Sequence, residues 1–97
     1  MQALQKFIDQ KNHWNSFFKG EQYEIATAQG RQRVADMIDA ALSPENLTCD
    51  GELPRAEVNR RYKELTTAAK QLKKLDSSVK FYEYDAEIGW HFGILVV

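Results

Sequence analysis

The sequence predicts an α+β fold, in which three α-helices are followed by a C-terminal antiparallel β-hairpin that packs on the helices. Two observations carry this prediction. Apolar residues recur at three- and four-residue spacing before residue 76, as in amphipathic helices. From residue 79 onward the chain is instead rich in Phe, Tyr, Trp, Val and Ile, which favour strands.

The chain has 97 residues, of which 43% are hydrophobic and 28% are charged. These values are ordinary for a globular domain. Because no repeat, low-complexity tract or linker divides the sequence, we expect residues 1–97 to form a single domain. The formal net charge of −1 gives no overall attraction to nucleic acid or to an anionic membrane.

The first helix is predicted from about Ala3 to Phe18, and Lys19-Gly20 supplies a cation and a C-cap glycine after it. Its apolar stripe consists of Leu4, Phe7, Ile8, Trp14 and Phe18. Phe17 lies off the centre of this stripe and widens it. The segment "HWNSFF" therefore has two interpretations. Either Trp14 and Phe18 belong to the core, or the segment is an exposed aromatic anchor for a partner, with Phe17 as the strongest candidate.

The second helix is predicted from about Glu21 to Leu42, with Glu21 and Glu24 in its first turn, where the helix dipole favours acids. Gly30 lies inside the pattern and indicates close contact with another helix, because glycine otherwise disfavours a helix interior. Ser43-Pro44 ends this helix, and a short helical turn can begin there.

The third helix is predicted from about Pro54 to Leu75. Its apolar stripe keeps a 4-3-4-3 spacing through Val58, Tyr62, Leu65, Ala69 and Leu72. Opposite charges at i,i+4 spacing, in the pairs Glu57–Arg61 and Arg60–Glu64, support the helix further.

Two strands are predicted at about Val79–Tyr84 and Trp90–Val97. We expect Phe81 to lie opposite Phe92, which leaves a four-residue loop at 85–88; a register with Tyr82 opposite Phe92 stays open. The side chains of the second strand that face the helices are expected to be Trp90, Phe92, Ile94 and Val96. A lone hairpin is only marginally stable and has open edges, so helices or a second copy of the chain must brace it.

The third helix carries seven basic residues against two acids. Four of the basic residues form a row on the side away from the apolar stripe, and these are Arg60, Lys63, Lys70 and Lys74. Such a row can contact phosphates or an acidic protein surface, including the second helix of another copy, or it can be a solvated helix face. No helix-turn-helix, zinc-finger or RNA-binding motif accompanies it, which makes nucleic acid the weaker hypothesis.

The remaining motifs are weak. Tyr82 and Tyr84, with Lys80 on the same strand, could stack bases, although alternating tyrosines are typical of structural strands. His13, His91 and Cys49 lack the spacing of a metal site or a nucleophile with its base, so we predict no metal, no cofactor and no catalytic residues. Most apolar residues are needed for one core, which leaves little room for the deep cleft of an enzyme.

A single cysteine and the absence of a signal-like or membrane-spanning segment predict a cytoplasmic protein. We therefore predict a non-catalytic binding or regulatory protein that acts through protein–protein contacts and self-associates. The candidate interaction residues are Arg60, Lys63, Lys70, Lys74, Trp14 and Phe17. The alternative is a nucleic-acid-binding protein that uses the basic row of the third helix.

Overall fold

The computed structural model describes residues 2–86 and 89–96, and for 84–86, 89–92 and 95 it describes the backbone alone. The elements are α1 (Gln2–Phe17), α2 (Ala28–Leu42), α3 (Pro44–Thr48), α4 (Arg55–Leu75), β1 (Val79–Ala86) and β2 (Gly89–Val96). The two strands pair antiparallel, and the hairpin packs on α2 and α4. The predicted α+β fold is therefore confirmed. The short helix α3 begins at the turn that Ser43-Pro44 predicted.

The helix α4 is the element that the sequence predicted best, since it begins one residue after the predicted start and ends at Leu75. It buries Leu65, Ala68, Ala69 and Leu72. Tyr62 is 37% exposed and therefore lies at the edge of the apolar stripe rather than in it. The buried face is rotated toward Ala68, because small alanines allow the neighbouring helices to approach closely.

The helix α1 runs antiparallel to α4. The backbone amide of Leu4 donates to Gln71 Oε1 at 2.9 Å, near the C-terminal end of α4. Further along α1, Lys6 Nζ lies 3.8 Å from Glu64 Oε1, which is almost two turns earlier in α4. Leu4 and Ile8 are buried in the core, at 1% and 4% exposure.

The helix α2 begins at Ala28, so the predicted start at Glu21 is wrong. Thr27 is the N-cap, and its hydroxyl accepts a hydrogen bond from the Gly30 amide at 3.0 Å. Glu21 and Glu24 consequently lie in the irregular segment before the helix. Gly30 is buried in close contact with that segment, because a Cβ at this position would lie 2.3 Å from the Glu24 carbonyl oxygen. The predicted close contact exists, but its partner is this segment and not a helix.

The hydrophobic core lies between α2, α4, the N-terminal half of α1 and one face of the hairpin. Its buried members are Leu4, Ile8, Val34, Ala35, Ile38, Leu42, Leu47, Leu65, Ala68, Ala69, Leu72, Val79 and Ile94. Each large aliphatic side chain among them contributes about 1.5–3 kcal/mol of transfer free energy on burial.

An ion pair links α2 to the turn between α4 and β1. Arg31 Nε lies 2.7 Å from Asp76 Oδ2, and Arg31 Nη1 donates to the Ile25 carbonyl at 3.0 Å. The other Asp76 oxygen accepts hydrogen bonds from the hydroxyl and the amide of Ser78. The Ser78 hydroxyl, followed by the Arg31 guanidinium, lowers the pKa of Asp76 to about 2.

The hairpin differs from the predicted register by two residues. Val79 lies opposite Val96, Phe81 opposite Ile94, and the last pair is Ala86 with Gly89. The four-residue loop was therefore wrong, because residues 85 and 86 extend β1. The pairing that remained open, with Tyr82 opposite Phe92, is also wrong. Val79 and Ile94 still reach the core, because a shift of two residues keeps every side chain on its own face.

Asp39 on α2 contacts the outer edge of β2. One of its carboxylate oxygens accepts hydrogen bonds from the Ile94 amide at 3.0 Å and from the Tyr82 hydroxyl at 2.8 Å. The Tyr82 ring crosses over Gly93, where a Cβ would lie 2.2 Å from Tyr82 Cζ. At this point α2 braces the predicted open edge of the terminal strand within the same chain.

Candidate functional site

Three large aromatic side chains at the C-terminal end of α1 are strongly exposed. Trp14 is 63% exposed, Phe17 66% and Phe18 79%. Assigning Trp14 and Phe18 to the core was therefore wrong, and the alternative interpretation as an exposed segment holds for all three. Together with His13 these residues are called the aromatic cluster below.

Three rings of the aromatic cluster contact one another. His13 packs edge-on against Phe17, with 5.2 Å between ring centroids, and against Trp14 at 5.9 Å. Trp14 and Phe17 lie 6.1 Å apart at a tilt of 50°. These separations lie in the range where aromatic pairs attract beyond their burial. The rings of His13, Trp14 and Phe17 therefore form one surface rather than three independent side chains.

The backbone beneath the aromatic cluster is capped by hydrogen bonds. The carbonyl of Asn15 accepts from the amides of Phe18 and Gly20, at 3.1 and 3.0 Å. Lys19, with φ of 54°, takes the left-handed conformation that ends the helix, so the predicted C-cap role of Gly20 belongs to the residue before it. The Asn15 side-chain amide also donates to the Glu21 carbonyl at 2.8 Å.

The chain that returns from α1 is fastened to it by a second asparagine. Asn12 Nδ2 donates to the Tyr23 carbonyl at 2.9 Å, and Asn12 Oδ1 accepts from the Tyr23 amide at 2.5 Å. Arg33 stacks on the Tyr23 ring at 4.6 Å. The aromatic cluster is thus presented from a helix end held on one side by fixed contacts, which lowers the entropy lost on binding.

The predicted basic row of α4 divides into two parts in the structure. Arg60 forms ion pairs with Glu57 and with Glu64, the latter at 2.8 Å. The hydrogen bonds that the Arg60 guanidinium donates to the Glu57 carboxylate are the main cause that raises the pKa of Arg60 and lowers the pKa of Glu57. The predicted pair Arg60–Glu64 is confirmed, whereas Glu57 binds Arg60 at i,i+3 rather than Arg61 at i,i+4.

The other three members of the row are exposed cations. Lys63, Lys70 and Lys74 lie on the solvent side of α4. Among the residues that the structure describes, none of these three has a carboxylate within 4.0 Å. These three lysines therefore form the exposed basic surface that the sequence predicted on this side of α4.

A groove between α1 and α4 brings together residues that the sequence did not link. Its volume is about 420 Å³, and its apolar floor comes from Ala3, Phe7, Ala41 and Leu65. Four cations stand around the floor, and these are Lys6, Lys11, Arg60 and Arg61. Glu64 is the acid among the lining residues. The sequence did not indicate that Lys6 and Lys11 lie beside the basic residues of α4, because they are far from α4 in the chain and reach it only through helix packing.

The tyrosines of β1 that could stack bases, with Lys80 on the same strand, do not form a free stacking surface in the described part of the hairpin. The Tyr82 hydroxyl binds Asp39, and its ring covers Gly93. The side chain of Tyr84 lies outside the described residues, while Lys80 is exposed. The arrangement of Tyr82 is that of a structural cross-strand contact.

The residues with catalytic or metal-binding chemistry are dispersed. Cys49 ends α3 with φ of 49°, and its Sγ accepts from Arg61 Nη1 at 3.3 Å. His13 belongs to the aromatic cluster, and the side chain of His91 lies outside the described residues. Within the described ranges, no three His, Cys, Asp or Glu residues converge as metal ligands would.

None of the helices in the described part of the chain has the length and apolarity that a membrane span requires.

No protein-family description, curated protein or solved structure matches this chain significantly.

Proposed function

We propose that the protein is a non-catalytic binding protein that acts through protein–protein contacts and associates with a second copy through the aromatic cluster. The single observation that carries this proposal is the exposure of Trp14, Phe17 and Phe18, at 63%, 66% and 79%. Aromatic side chains of this size are enriched among the residues that dominate interface energies. A helix end held by its own capping contacts presents them without further ordering.

A second copy is the simplest occupant of such a surface. Under twofold symmetry the same patch meets itself, so aromatic rings from both copies can stack and exclude water. The described edge of β2, by contrast, is occupied at Ile94 by Asp39 and contributes less to the case for association. The proposal therefore places the contact on α1 and not on the terminal strand.

Sedimentation velocity over a concentration series from micromolar to millimolar tests the proposal. We expect the mass of the wild type to rise toward that of a dimer, and the double substitution Trp14→Ser with Phe17→Ser to stay monomeric. Leu75→Ser is the matched control, because Leu75 is 44% exposed at the end of α4 and is not part of the cluster. A wild type that remains monomeric throughout would refute self-association.

Nucleic-acid binding is the second candidate, and one observation favours it. Lys63, Lys70 and Lys74 are exposed on one side of α4 without a carboxylate partner in the described ranges. A gel-shift assay with mixed DNA and RNA tests this candidate. It predicts a salt-sensitive shift that disappears when the three lysines are changed to glutamate. An unshifted nucleic acid at low salt would exclude it.

A further inference from the structure

The groove between α1 and α4 has the composition of a recognition site for an acidic amphipathic segment. We propose that it binds a helical segment of a partner protein, with the apolar side of that helix on the floor and its acidic residues against the basic walls. The lining residues of the groove do not include the aromatic cluster. This inference therefore stands independently of whether the chain self-associates.

The charges of the groove are only partly neutralised within the chain. Glu64 contacts both Arg60 and Lys6, at 2.8 and 3.8 Å. Lys11 on α1 and Arg61 on α4 have no carboxylate within 4.0 Å among the described residues. Lys11 Nζ lies 5.5 Å from the Phe7 ring centroid, and Arg61 donates to the sulfur of Cys49. Lys11 and Arg61, which have no carboxylate partner among the described residues, thus lie on opposite walls of the groove, above its apolar floor.

The distribution of these cations favours a helix over a small anionic amphiphile. Lys6 and Lys11 are five residues apart, which corresponds to about 7.5 Å along α1. A single head group needs cations that converge on one point, whereas the basic residues here line two walls. A helix carries side chains at i,i+3 and i,i+4 about 5–6 Å apart on its surface, which suits this spread.

The shape of the groove agrees with the same occupant. Its walls are two antiparallel helices, and a third helix can place its apolar side chains between them by ordinary ridge-and-groove packing. The acidic residues of α2 do not provide this occupant from a second copy. Asp39 is bound to the hairpin, and the apolar face of α2 is buried in its own core.

Fluorescence anisotropy with a labelled synthetic peptide tests the proposal. The probe is a peptide of about 18 residues with Leu at helical spacing on one face and Glu on the flanks. We expect it to bind and to weaken as salt is added. A peptide of the same composition in scrambled order, and one with Lys in place of Glu, are expected not to bind.

Two charge-reversal variants locate the site. Lys11→Glu with Arg61→Glu is expected to weaken binding by at least about tenfold, because opposed charges then face the peptide. Lys70→Glu with Lys74→Glu makes the same charge change on the solvent side of α4, and is expected to leave the affinity within about twofold. If the first variant does not fold, as judged by circular dichroism, Lys11→Gln with Arg61→Gln takes its place and is expected to weaken binding in the same direction.

Several outcomes would overturn the proposal. They are the absence of binding at millimolar peptide, equal binding of the scrambled peptide, and equal loss in both charge-reversal variants. Binding of dodecanoate together with no binding of the peptide would assign the groove to a small amphiphile instead. Repeating the titration with the Trp14→Ser and Phe17→Ser variant separates the two proposals, since the groove is expected to keep its affinity when the aromatic cluster is removed.

Discussion

Replacing Gly30 by alanine tests the contact that fixes the start of α2. Two effects of opposite sign compete. Alanine is favoured over glycine in a helix by up to about 1 kcal/mol, and Gly30 is a helical residue without a left-handed φ. Against this, the new Cβ would lie 2.3 Å from the Glu24 carbonyl oxygen. A backbone oxygen cannot rotate out of the way as a flexible side chain can, so the segment before α2 must shift.

The expected change in the free energy of unfolding depends on the contacts that this shift of the segment disturbs. Forcing a methyl group into a packed site costs about 1–3 kcal/mol when the backbone has to move. The hydrogen bond from Arg31 to the Ile25 carbonyl, one residue beyond Glu24, contributes about 0.5–1.5 kcal/mol and is strained by the same movement. After these two costs are added and the helix-propensity gain of about 1 kcal/mol is subtracted, we expect Gly30→Ala to lower the free energy of unfolding by about 0.5–3.5 kcal/mol.

Urea unfolding followed by far-ultraviolet circular dichroism measures this change. The neighbouring exposed residue supplies the control, because Gln29→Ala and Gln29→Gly together report the alanine–glycine difference at the start of α2 without a steric contact. The alanine–glycine difference in the free energy of unfolding is then compared between positions 30 and 29, and what separates the two values is the steric cost at Gly30. If Gly30→Ala stabilises the protein by as much as the pair at position 29, Gly30 does not contact the segment and the described start of α2 is wrong.

Two further predictions concern the hairpin and its turn. Gly93→Ala is expected to displace the Tyr82 ring and break its hydrogen bond to Asp39, lowering the free energy of unfolding by about 1–2 kcal/mol. Urea unfolding of Gly93→Ala alone, and combined with Tyr82→Phe, checks this, and strictly additive effects would argue against a shared contact. Because Asp76 has a pKa of about 2 in the folded chain against an ordinary 3.8, its stabilising contribution is complete at neutral pH and disappears as the pH falls toward 2. Asp76→Asn is therefore expected to lower the urea midpoint at neutral pH, with a difference from wild type that narrows below about pH 4; a constant difference would contradict the ion-pair origin.

The bounds of some helices could be predicted from the sequence more accurately than those of others, and the reasons are physical. The bounds of α4 were predictable because its apolar period and its opposite charges at i,i+4 both act within one helix. The start of α2 was not, because residues 21–26 have a composition that a helix tolerates. What removes them from the helix is the Thr27 cap together with hydrogen bonds from Asn12 and Asn15, which belong to the preceding helix α1.

The hairpin shows which part of a strand pairing the sequence encodes. Alternation of side chains decides which residues face the core, so Ile94 was placed on the correct face. The length of the connection decides which residues are opposite each other, and the residues around the turn do not specify it. An error of two residues is therefore invisible to the hydrophobic pattern, whereas an error of one would have exposed the whole buried face.

One part of helix α1 packs in the core and the other part faces solvent, so stability and the proposed association can be tested with different substitutions. Leu4 and Ile8 are buried, whereas Trp14 and Phe17 are more than 60% exposed on the same continuous helix. Periodicity alone placed Trp14 in one apolar stripe with Leu4 and Ile8 and left its burial open, because it reports the apolar face of a helix and not where its packing partners end. Substitution of the exposed aromatics by serine should therefore change the free energy of unfolding by no more than about 0.5 kcal/mol at each site. Association would be lost in the same variant, so the apolar character of that helix end would be explained by a contact between molecules and not by the folding of one.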